Sequence, residues 1–441
     1  MQKIPYLNAR LFIALTAIAL LFVGGYFWPL LIAAAKAGFF VIIVLLMIDT
    51  LLLYRAKTGV TARREMAERL SNGDENEIKI HLENFYRFEV ALEIIDELPF
   101  QFQLRDWSYR TELAAGGVKT LIYSLRPVER GEYHFGAINV YAANPIGLVR
   151  RRFIHEQARM TPVYPSYLQM RRYELYAISN RLSEIGVKKV RRLGHTLEFE
   201  QIRAYVSGDD YRTINWKAAA RKSELMVNQY EDEKSQQVYS LIDMGRVMKM
   251  PFAGMSLLDY AINASLVISN IAIHKQDKAG LVTFAERPGA ILPADRKATQ
   301  MQKILEVLYK QETRYLESNY EALLTALQHK IRQRSLILLF TNFETLAALQ
   351  RQLPFLRQIA RRHLLVTIFF ENTELAALLD KSAETTEEIY LKTIAEKFAF
   401  EKRQIVKELQ RYGIQAILTA PQNLTVQTIN KYLELKARGV V

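Results

Sequence analysis

The sequence predicts a chain in three parts: two apolar helices, an all-β domain, and an α/β domain with a doubly wound, mainly parallel sheet. Two long apolar runs stand near the start of the 441 residues. The stretch that follows alternates apolar and polar residues with a period of two, which is typical of strands. From about residue 237 onward, short apolar runs alternate with stretches of helical period, as β–α units do. These changes of period place the boundaries between the three parts.

The two apolar runs predict a transmembrane helical hairpin in residues 1–57. The runs cover residues 11–28 and 30–54. Each is about 18 residues or longer, enough to cross a hydrocarbon core of about 30 Å at about 1.5 Å per residue. A cleaved signal peptide is the alternative. Its apolar core would be shorter, however, and would not lead at once into a second span.

Charged residues around the hairpin indicate its orientation. Basic residues flank it on both sides: Lys3, Arg10, Arg55, Lys57, Arg63 and Arg64. By the positive-inside rule, this pattern predicts a two-pass protein of the bacterial cytoplasmic (inner) membrane, with both ends and the soluble domains facing the cytoplasm. Within the second run, we expect the side chains of Lys36 and Asp49 to reach the lipid head groups.

Residues 58–164 predict a β-sandwich. Apolar and polar residues alternate in 77–82, 90–94 and 121–125, and turn-forming residues separate these runs. Short strands at this spacing, without helices between them, are typical of a sandwich. The stretch has no clustered metal ligands and no acid–base pair, so we interpret the domain as a spacer or an interaction module.

Residues 165–236 lead into the α/β domain and contain the densest group of chemically informative side chains. A turn is predicted at residues 207–210, where Gly and Asp favour turn conformations. Asp209 and Asp210 lie within reach of Arg203 and Arg212, so charge-assisted pairs are expected. We favour a buried or half-buried ion-pair network that fixes a loop around a Trp. Docking of a partner is the alternative, and no nucleophile–base pair is present to indicate catalysis.

The same region resembles the signature of the domain-of-unknown-function 58 (DUF58) family. The positions that match in register are Glu198, Phe199, Arg203, Tyr205, Gly208, Asp209, Arg212, Ile214, Trp216, Ala220 and Arg221. Ser207, Asn215 and Ala219 stand where Pro, Asp and Ser are usual. Segments 126–136 and 144–148 also resemble stretches that precede the signature. The biochemistry of the family is poorly defined, so the resemblance implies architecture more than activity.

Residues 237–441 predict the α/β domain. The predicted strands are 237–243, 279–284, 335–341, 364–370 and 414–418, and the predicted helices are 257–274, 299–309, 320–332, 353–362, 383–412 and 424–438. The continuous apolar run at 335–341 is typical of a strand buried on both faces of a parallel sheet. In such sheets, ligands bind at the carboxyl ends of the strands.

This order of elements resembles a von Willebrand factor A-like domain, in which an Asp, two Ser, a Thr and a second Asp hold Mg²⁺. Asp243 matches the first Asp, but Gly245 and Val247 replace the two Ser. Ser318 is the candidate for the Thr position, and Asn342 stands where the second Asp is usual. Mg²⁺ prefers an octahedron of oxygen ligands. We therefore expect a degenerate metal site, no cofactor, and binding through the loops at 244–248, 317–320 and 342–344.

The amino-acid composition and the motifs that are missing exclude several classes of protein function. The chain has no Cys, which excludes disulfides, thiolate catalysis and Cys-based metal sites. Its net charge of +13 fits attraction to an anionic lipid bilayer, and no nucleic-acid-binding motif is present. Phosphate-binding loops and the common hydrolase motifs are missing as well.

We expect a membrane-anchored protein-binding and assembly factor, not an enzyme. The family resemblance implies company with MoxR-type AAA+ ATPases, in systems proposed to mature complexes or support stress tolerance. Other membrane proteins or von Willebrand factor A-domain proteins are further expected partners. A second hypothesis is a metal-dependent hydrolase that uses Asp209, Asp210 and Asp243. A third is a structural or assembly protein of the cell envelope.

Overall fold

The computed structural model describes residues 5–105, 107–178, 197–207, 209, 211–232, 235–313, 315–379 and 385–439. Lys3, Gly208 and Asp210 lie outside these residues. The chain divides into two compact units, Met1–Tyr164 and Pro165–Val441. The first unit is β-rich and begins with two apolar helices, and the second combines sheets with helices.

The two apolar helices are α1, Ala9–Gly24, and α2, Pro29–Arg55. Helix α1 has 16 residues and is shorter than the predicted span. Helix α2 is 27 residues long, apolar enough to cross a bilayer, and only 6% buried. A third helix, Leu257–His274, passes the same test of length and apolar composition, but it is 83% buried and forms part of a protein core. The exposed apolar surface of α1 and α2 suggests association with a membrane.

Asp49 near the end of α2 corrects one expectation from the sequence. Its side chain is fully buried and does not extend toward lipid head groups. One carboxylate oxygen accepts hydrogen bonds from the backbone N–H groups of Leu148 and Val149, at 2.7 and 2.9 Å. The hydroxyl of Tyr86 donates to the carbonyl of Leu53 at 2.6 Å. The end of α2 is therefore fastened to the β-rich part of its own unit.

The strands of the first unit form three sheets. In chain order they are β1 Tyr6–Leu7, β2 Val60–Glu65, β3 Leu70–Ser71, β4 Asn76–Asn84, β5 Val90–Asp96, β6 Tyr109–Leu113, β7 Val118–Leu125, β8 Gly131–Phe135, β9 Ile138–Ala143, β10 Val149–His155 and β11 Arg159–Tyr164. The sheets have the orders β1-β10-β9-β5-β6, β2-β4-β7 and β3-β11-β8. Residues of the first two sheets share one hydrophobic core, as Ile80 and Leu82 of β4 pack with Val140 of β9.

The second unit contains a strand hairpin and a larger α/β sheet. Its helices are α3 Tyr167–Ile178, α4 Trp216–Lys222, α5 Leu257–His274, α6 Thr299–Tyr309, α7 Tyr320–Lys330, α8 Leu346–Arg362, α9 Thr373–Leu379, α10 Thr386–Arg411 and α11 Leu424–Ala437. Its strands are β12 Leu197–Ala204, β13 Met226–Asp232, β14 Gln237–Asp243, β15 Pro251–Phe252, β16 Met255–Ser256, β17 Lys278–Phe284, β18 Pro288–Asp295, β19 Leu336–Phe340, β20 Leu364–Phe370 and β21 Gln415–Thr419.

The α/β sheet has six strands in the order β18-β17-β14-β19-β20-β21. All neighbours in it pair parallel except β17 and β18, which pair antiparallel. Successive residues of β14 face opposite sides: Val238 packs in a core with α5 and α11, whereas Tyr239 packs in a core with α7 and α8. The sheet is therefore covered by helices on both faces, and its carboxyl ends meet at one edge.

Asp277, just before β17, joins α11 to the sheet. Its carboxylate is buried and accepts hydrogen bonds from the Tyr432 hydroxyl at 2.6 Å and the Lys436 ammonium at 2.8 Å. The backbone N–H of Gln236 donates to it at 3.1 Å. Removing one member of a buried pair leaves the other charge without compensation.

We expect Asp277→Ala to lower the free energy of unfolding by about 3–5 kcal/mol, because the Lys436 ammonium and the Tyr432 hydroxyl lose their acceptor. Tyr432→Phe, which removes one hydroxyl, should cost about 1 kcal/mol. Thermal unfolding of the full chain in nanodiscs measures both. Lys431→Ala is the control, since its pair with Glu434 on the same helix is partly exposed. Equal losses in Asp277→Ala and Lys431→Ala would contradict the assignment.

Candidate functional site

The carboxyl edge of the α/β sheet carries two neighbouring cavities. The smaller one, about 320 Å³, is lined by Asp243, Ser318 and Tyr320 among others, and we call it the Asp243 cavity. The larger one, about 440 Å³, is lined by Phe252, Leu375, Phe398 and Lys402 among others, and we call it the Lys402 cleft. Asn342 and Glu344 line both cavities. The structure therefore brings the three predicted metal ligands, Asp243, Ser318 and Asn342, to one cavity.

Asp243 ends β14, and its carboxylate is fully engaged by neighbouring donors. The side chain is 1% exposed. One oxygen accepts from the Ser318 hydroxyl and, at 2.8 Å, from the backbone N–H of Gly245. The other accepts from the Thr341 hydroxyl at 2.7 Å, and the Tyr320 hydroxyl lies 2.7 Å from the Thr341 hydroxyl and 3.3 Å from the same carboxylate oxygen. Since each hydroxyl has one hydrogen to donate, Asp243 accepts from three donors, and Tyr320 completes the cluster.

The loop after β14 is shaped for this arrangement. Gly245 stands at the first of the two positions where the resembled domain has Ser. A Cβ atom at Gly245 would collide with the Ser318 hydroxyl. The loop after β14 therefore contributes a backbone N–H to Asp243, and its residues 244–248 have no side-chain oxygen that could bind a metal ion.

These residues do not fit a divalent cation. The side chains that contact Asp243 donate hydrogen bonds to it, and Asn342 directs its carbonyl oxygen to Lys402. Among the described residues, no group of three or more His, Asp or Glu is placed to hold a metal ion. Burial raises the pKa of Asp243, and burial beside Asp243 raises the pKa of Tyr320. Both shifts have the direction expected for a dry, hydrogen-bonded cluster.

Lys402 of α10 is the main charged group of the larger cavity. Its ammonium donates to the side-chain carbonyl of Asn342 at 2.6 Å. It also lies over the Phe369 ring, 5.6 Å from the centroid. Burial lowers the pKa of Lys402 to about 8, and the carboxylate of Glu344 partly opposes this effect. The second metal position of the resembled domain is therefore occupied by a neutral amide that is bonded to a cation.

Sequence reasoning missed Thr341 and Lys402 as members of the site, and it gave Tyr320 only as the end of a predicted binding loop. The hydroxyls of Tyr320 and Thr341 come next to Asp243 only in the folded sheet. The sequence position of Lys402 could have indicated its place in the site. It follows Phe398 by four residues and precedes Ile405 by three, so it stands on the apolar face of its helix.

The signature region forms a separate feature on the β12–β13 hairpin and α4. Arg203 makes a bidentate pair with Asp209, at 2.8 and 2.7 Å, and this pair lowers the pKa of Asp209. The backbone N–H of Val206 also donates to Asp209, at 2.9 Å. The backbone N–H of Tyr205 donates to the carbonyl of Leu225 at 2.8 Å, which joins the turn to the start of β13.

The expected packing of this network around a Trp is wrong. Trp216, the first residue of α4, is 69% exposed. Arg212 and Arg221 are exposed as well, and the Arg212 guanidinium lies over the Tyr211 ring, 5.6 Å from its centroid. Gly208 and the side chain of Glu198 lie outside the described residues. The Arg203–Asp209 pair itself is half-buried, with side-chain exposures of 37% and 21%, as expected for a pair that fixes the turn, whereas Trp216 stays exposed.

Comparison with known proteins identifies the signature region. Residues 201–399 match the family described as "Protein of unknown function DUF58". The chain is 27% identical over 201 residues to "Uncharacterized protein YeaD" of Bacillus subtilis (strain 168), covering 44% of this chain and 50% of that protein. The match thus spans about half the length of the curated relative.

Two solved structures show faint likenesses to parts of this chain. A conserved hypothetical protein, BatB from Bacteroides thetaiotaomicron, is 10% identical with a TM-score of 0.30, covering 46% of this chain and 98% of that one. The ASH / PapD-like domain of human CEP192 is 15% identical with a TM-score of 0.18, covering 24% of this chain and 85% of that one. Neither likeness carries an argument about this protein.

We expect Asp243→Asn to unfold at the same temperature as the wild type or higher at neutral pH. The amide keeps one acceptor for Gly245 and Ser318, and its N–H₂ can donate to the hydroxyls of Thr341 and Tyr320. Asp243→Ala should lose about 1–3 kcal/mol, because several buried donors lose their acceptor. Thermal unfolding of the wild type and of both variants measures these differences in stability.

The pH dependence of stability supplies a second test, in which the wild type is compared with Asp243→Asn. The pKa of Asp243 is raised in the folded chain, so the folded state binds more protons than the unfolded state above the ordinary Asp value of about 3.9. Stability should therefore fall as pH rises through that window, up to the raised pKa, and Asp243→Asn should remove this part of the dependence. A wild-type-like pH profile in Asp243→Asn would show that the carboxylate is not the source.

Proposed function

The chain is a DUF58 family protein over residues 201–399, and from this premise we propose a membrane-anchored protein-binding and assembly factor. It binds its partner at the carboxyl edge of the α/β sheet and needs no divalent metal to do so. The observation that carries this proposal is the engagement of both Asp243 oxygens by neighbouring donors: the Gly245 N–H and the Ser318 hydroxyl on one oxygen, and the Thr341 hydroxyl on the other. A metal ion would have to displace these donors to reach the carboxylate.

The strand order of the second unit supports the interpretation that its α/β domain is von Willebrand factor A-like. The first strand of its sheet, β14, lies in the middle between β17 and β19, and the parallel order continues to β21. Strand order reverses beside β14, and in open α/β sheets ligands bind at such a switch point. The Asp243 cavity opens there. The proposed binding edge therefore coincides with the place where this topology creates a crevice.

Exposed apolar side chains around the two cavities support a protein partner. Met250, Tyr315, Leu316 and Phe398 all stay exposed, Tyr315 at 74%. Charged groups stand among them: the ammonium of Lys249 lies 3.4 Å from the Tyr315 ring centroid. Interfaces between proteins combine aromatic and apolar residues with a polar rim in this way.

The two apolar helices, α1 and α2, indicate the proposed location of the protein in the cell. Both ends of the helical pair contact the β-rich part of the first unit: Arg10 donates to the carbonyl of Pro145 at 3.2 Å, and Asp49 accepts from Leu148 and Val149. Both ends therefore lie on the same side of any bilayer that the helices cross. Basic flanking residues place that side in the cytoplasm by the positive-inside rule. We propose a two-pass protein of the inner membrane.

The proposed partner is a MoxR-type AAA+ ATPase, which the family resemblance implies. The ATPase would supply energy, and this chain would hold it at the membrane. The hydrolase alternative has less support. Asp209 is paired with Arg203, and the oxygens of Asp243 are occupied, so neither carboxylate is open to a water or a metal ion.

We expect Asp243→Asn in nanodiscs to bind a MoxR-type ATPase of the same organism within about twofold of the wild type. The reason is that the carboxylate acts inside the fold. Binding of the ATPase to immobilised protein measures the affinity. Calorimetric titration of Mg²⁺ or Mn²⁺ into the protein alone should give no saturable heat at millimolar concentration. Metal binding that disappears in Asp243→Asn, together with loss of the partner, would establish the metal-dependent alternative.

Cysteine labelling tests the orientation, because the chain has no Cys of its own. Lys407→Cys, exposed on α10, should react with a membrane-impermeant maleimide only after the cells are opened. Tyr26→Cys, in the turn between α1 and α2 and 88% exposed, should react in intact spheroplasts. The reverse pattern would place the soluble units outside the cytoplasm and favour a cell-envelope role.

A further inference from the structure

The Lys402 cleft has features that the fold alone does not require. It lies beside the Asp243 cavity, where β20 and β21 end, and it is bounded by α9 and α10. Apolar side chains form much of its wall, including Phe252, Leu375 and Phe398. Its volume of about 440 Å³ falls in the range of sites that take small molecules or the end of a peptide.

The ammonium of Lys402 has unused hydrogen-bonding capacity. A protonated Lys has three N–H donors. In the described part of the chain, one of them goes to Asn342 at 2.6 Å, and no second acceptor within hydrogen-bonding distance is present. The ring of Phe369 contacts the cation but accepts no conventional hydrogen bond. Two donors therefore remain for an incoming oxygen.

A stabilising role does not explain this lysine. Burial lowers the pKa of Lys402 to about 8, so the folded chain holds its charge less readily than the unfolded chain does. A charge in such a place opposes folding unless it is paired. A perturbed group in a cavity of this kind is a candidate for binding or catalysis.

The other charges of the cleft define what can enter. Glu344, Glu371, Glu374 and Arg403 also line it, and all four are exposed. Lys402 and Asn342 are less exposed and lie deeper. A ligand would therefore meet a largely acidic rim first, then apolar walls, and finally an ammonium. The rim accepts basic groups, and the interior accepts a carboxylate attached to an apolar group.

We propose that the Lys402 cleft binds the C-terminus of a partner protein that ends in a large apolar residue. The terminal carboxylate would accept the free N–H donors of Lys402, and the last side chain would lie against Phe252, Leu375 and Phe398. A terminal residue fits better than an internal Asp or Glu, because it carries a carboxylate and an apolar group on one Cα. Capture of a terminal carboxylate is a recurring mode of peptide recognition. This inference rests on the proposed protein-binding function and adds the chemistry of the partner.

The test uses the full chain in nanodiscs and two synthetic probes, acetyl-Ala-Leu-Phe with a free carboxylate and the same peptide as a C-terminal amide. Calorimetry should show saturable binding of the acid and at least tenfold weaker binding of the amide. Lys402→Met should bind the acid at least tenfold more weakly than the wild type. Lys397→Met, an exposed lysine on the same helix, should bind like the wild type.

Thermal unfolding separates a binding lysine from a structural one. Lys402→Met should melt at the wild-type temperature or above it, because Met fills the same space without a buried charge. A lower melting temperature together with unchanged peptide affinity would overturn the proposal and make Lys402 structural. Equal affinity for the acid and the amide would also overturn it, since the cleft would then bind apolar groups only. If the peptide with the free carboxylate did not bind at millimolar concentration, the proposal would likewise be overturned.

The partner assay distinguishes this inference from the function on which it rests. If Lys402→Met binds the ATPase as the wild type does, the cleft is not the contact and the inference fails, while the protein-binding function stands. If the wild type itself does not bind the ATPase but binds the acid probe, the named partner fails and the cleft stands.

Discussion

The α/β unit depends on how the fold satisfies a buried carboxylate. Asp243 ends the central strand and is almost wholly removed from water. A charge in that position is tolerated only if hydrogen bonds replace its hydration. The groups around it come from three places in the chain: the backbone after β14, the loop before α7 together with the first residue of α7, and the residue after β19. One side chain therefore joins the loops that form the edge of the sheet.

The hydrogen bonds to Asp243 affect what the carboxyl edge of the α/β sheet can bind. Because hydroxyls and a backbone N–H satisfy Asp243, this buried carboxylate does not need a cation as its partner. In the neighbouring cleft the most buried charged group is the ammonium of Lys402, which donates to Asn342 at 2.6 Å. A lysine supplies a fixed cation without a coordination shell and keeps free donors. The neighbouring cleft is thus suited to an anionic group that arrives with apolar surface.

The sequence predicted the frame of the second unit better than its site. Strand β19 is a continuous apolar run and β14 and β20 are mainly apolar, so their bounds were clear, and α5 begins and ends where its apolar residues at helical spacing predicted. Strand β18 was missed because no residue in it is fully buried and two prolines interrupt its pattern. Helix α8 begins earlier than predicted, at Leu346, and continues through Pro354. Edge strands and helices that tolerate a proline depend on neighbours that a local pattern does not contain.

The side-chain network was hidden for a different reason. Asp243 and Ser318 are 75 residues apart, and Asp243 and Thr341 are 98 apart. A hydroxyl is equally acceptable on a surface, so only the parallel register of β14 and β19 shows that Thr341 faces Asp243. The same limit explains Trp216. A Trp between charged residues suggests burial, but α4 is a short helix beside a two-stranded hairpin and offers too little surface to cover it.

The first unit shows the same principle at the end of its apolar helix α2. Asp49 stands near the end of an apolar helix, where a carboxylate is usually read as reaching water, yet it accepts the first backbone N–H groups of β10. Tyr86 and Arg151 add hydrogen bonds to the carbonyl of Leu53, at 2.6 Å each. These bonds satisfy the carbonyl of Leu53, one of the last four of α2, which a helix end otherwise leaves without a partner. The helical pair is therefore part of the β-rich unit rather than a flexible tether, so the apolar surface of the two helices has a fixed orientation relative to the strands of that unit.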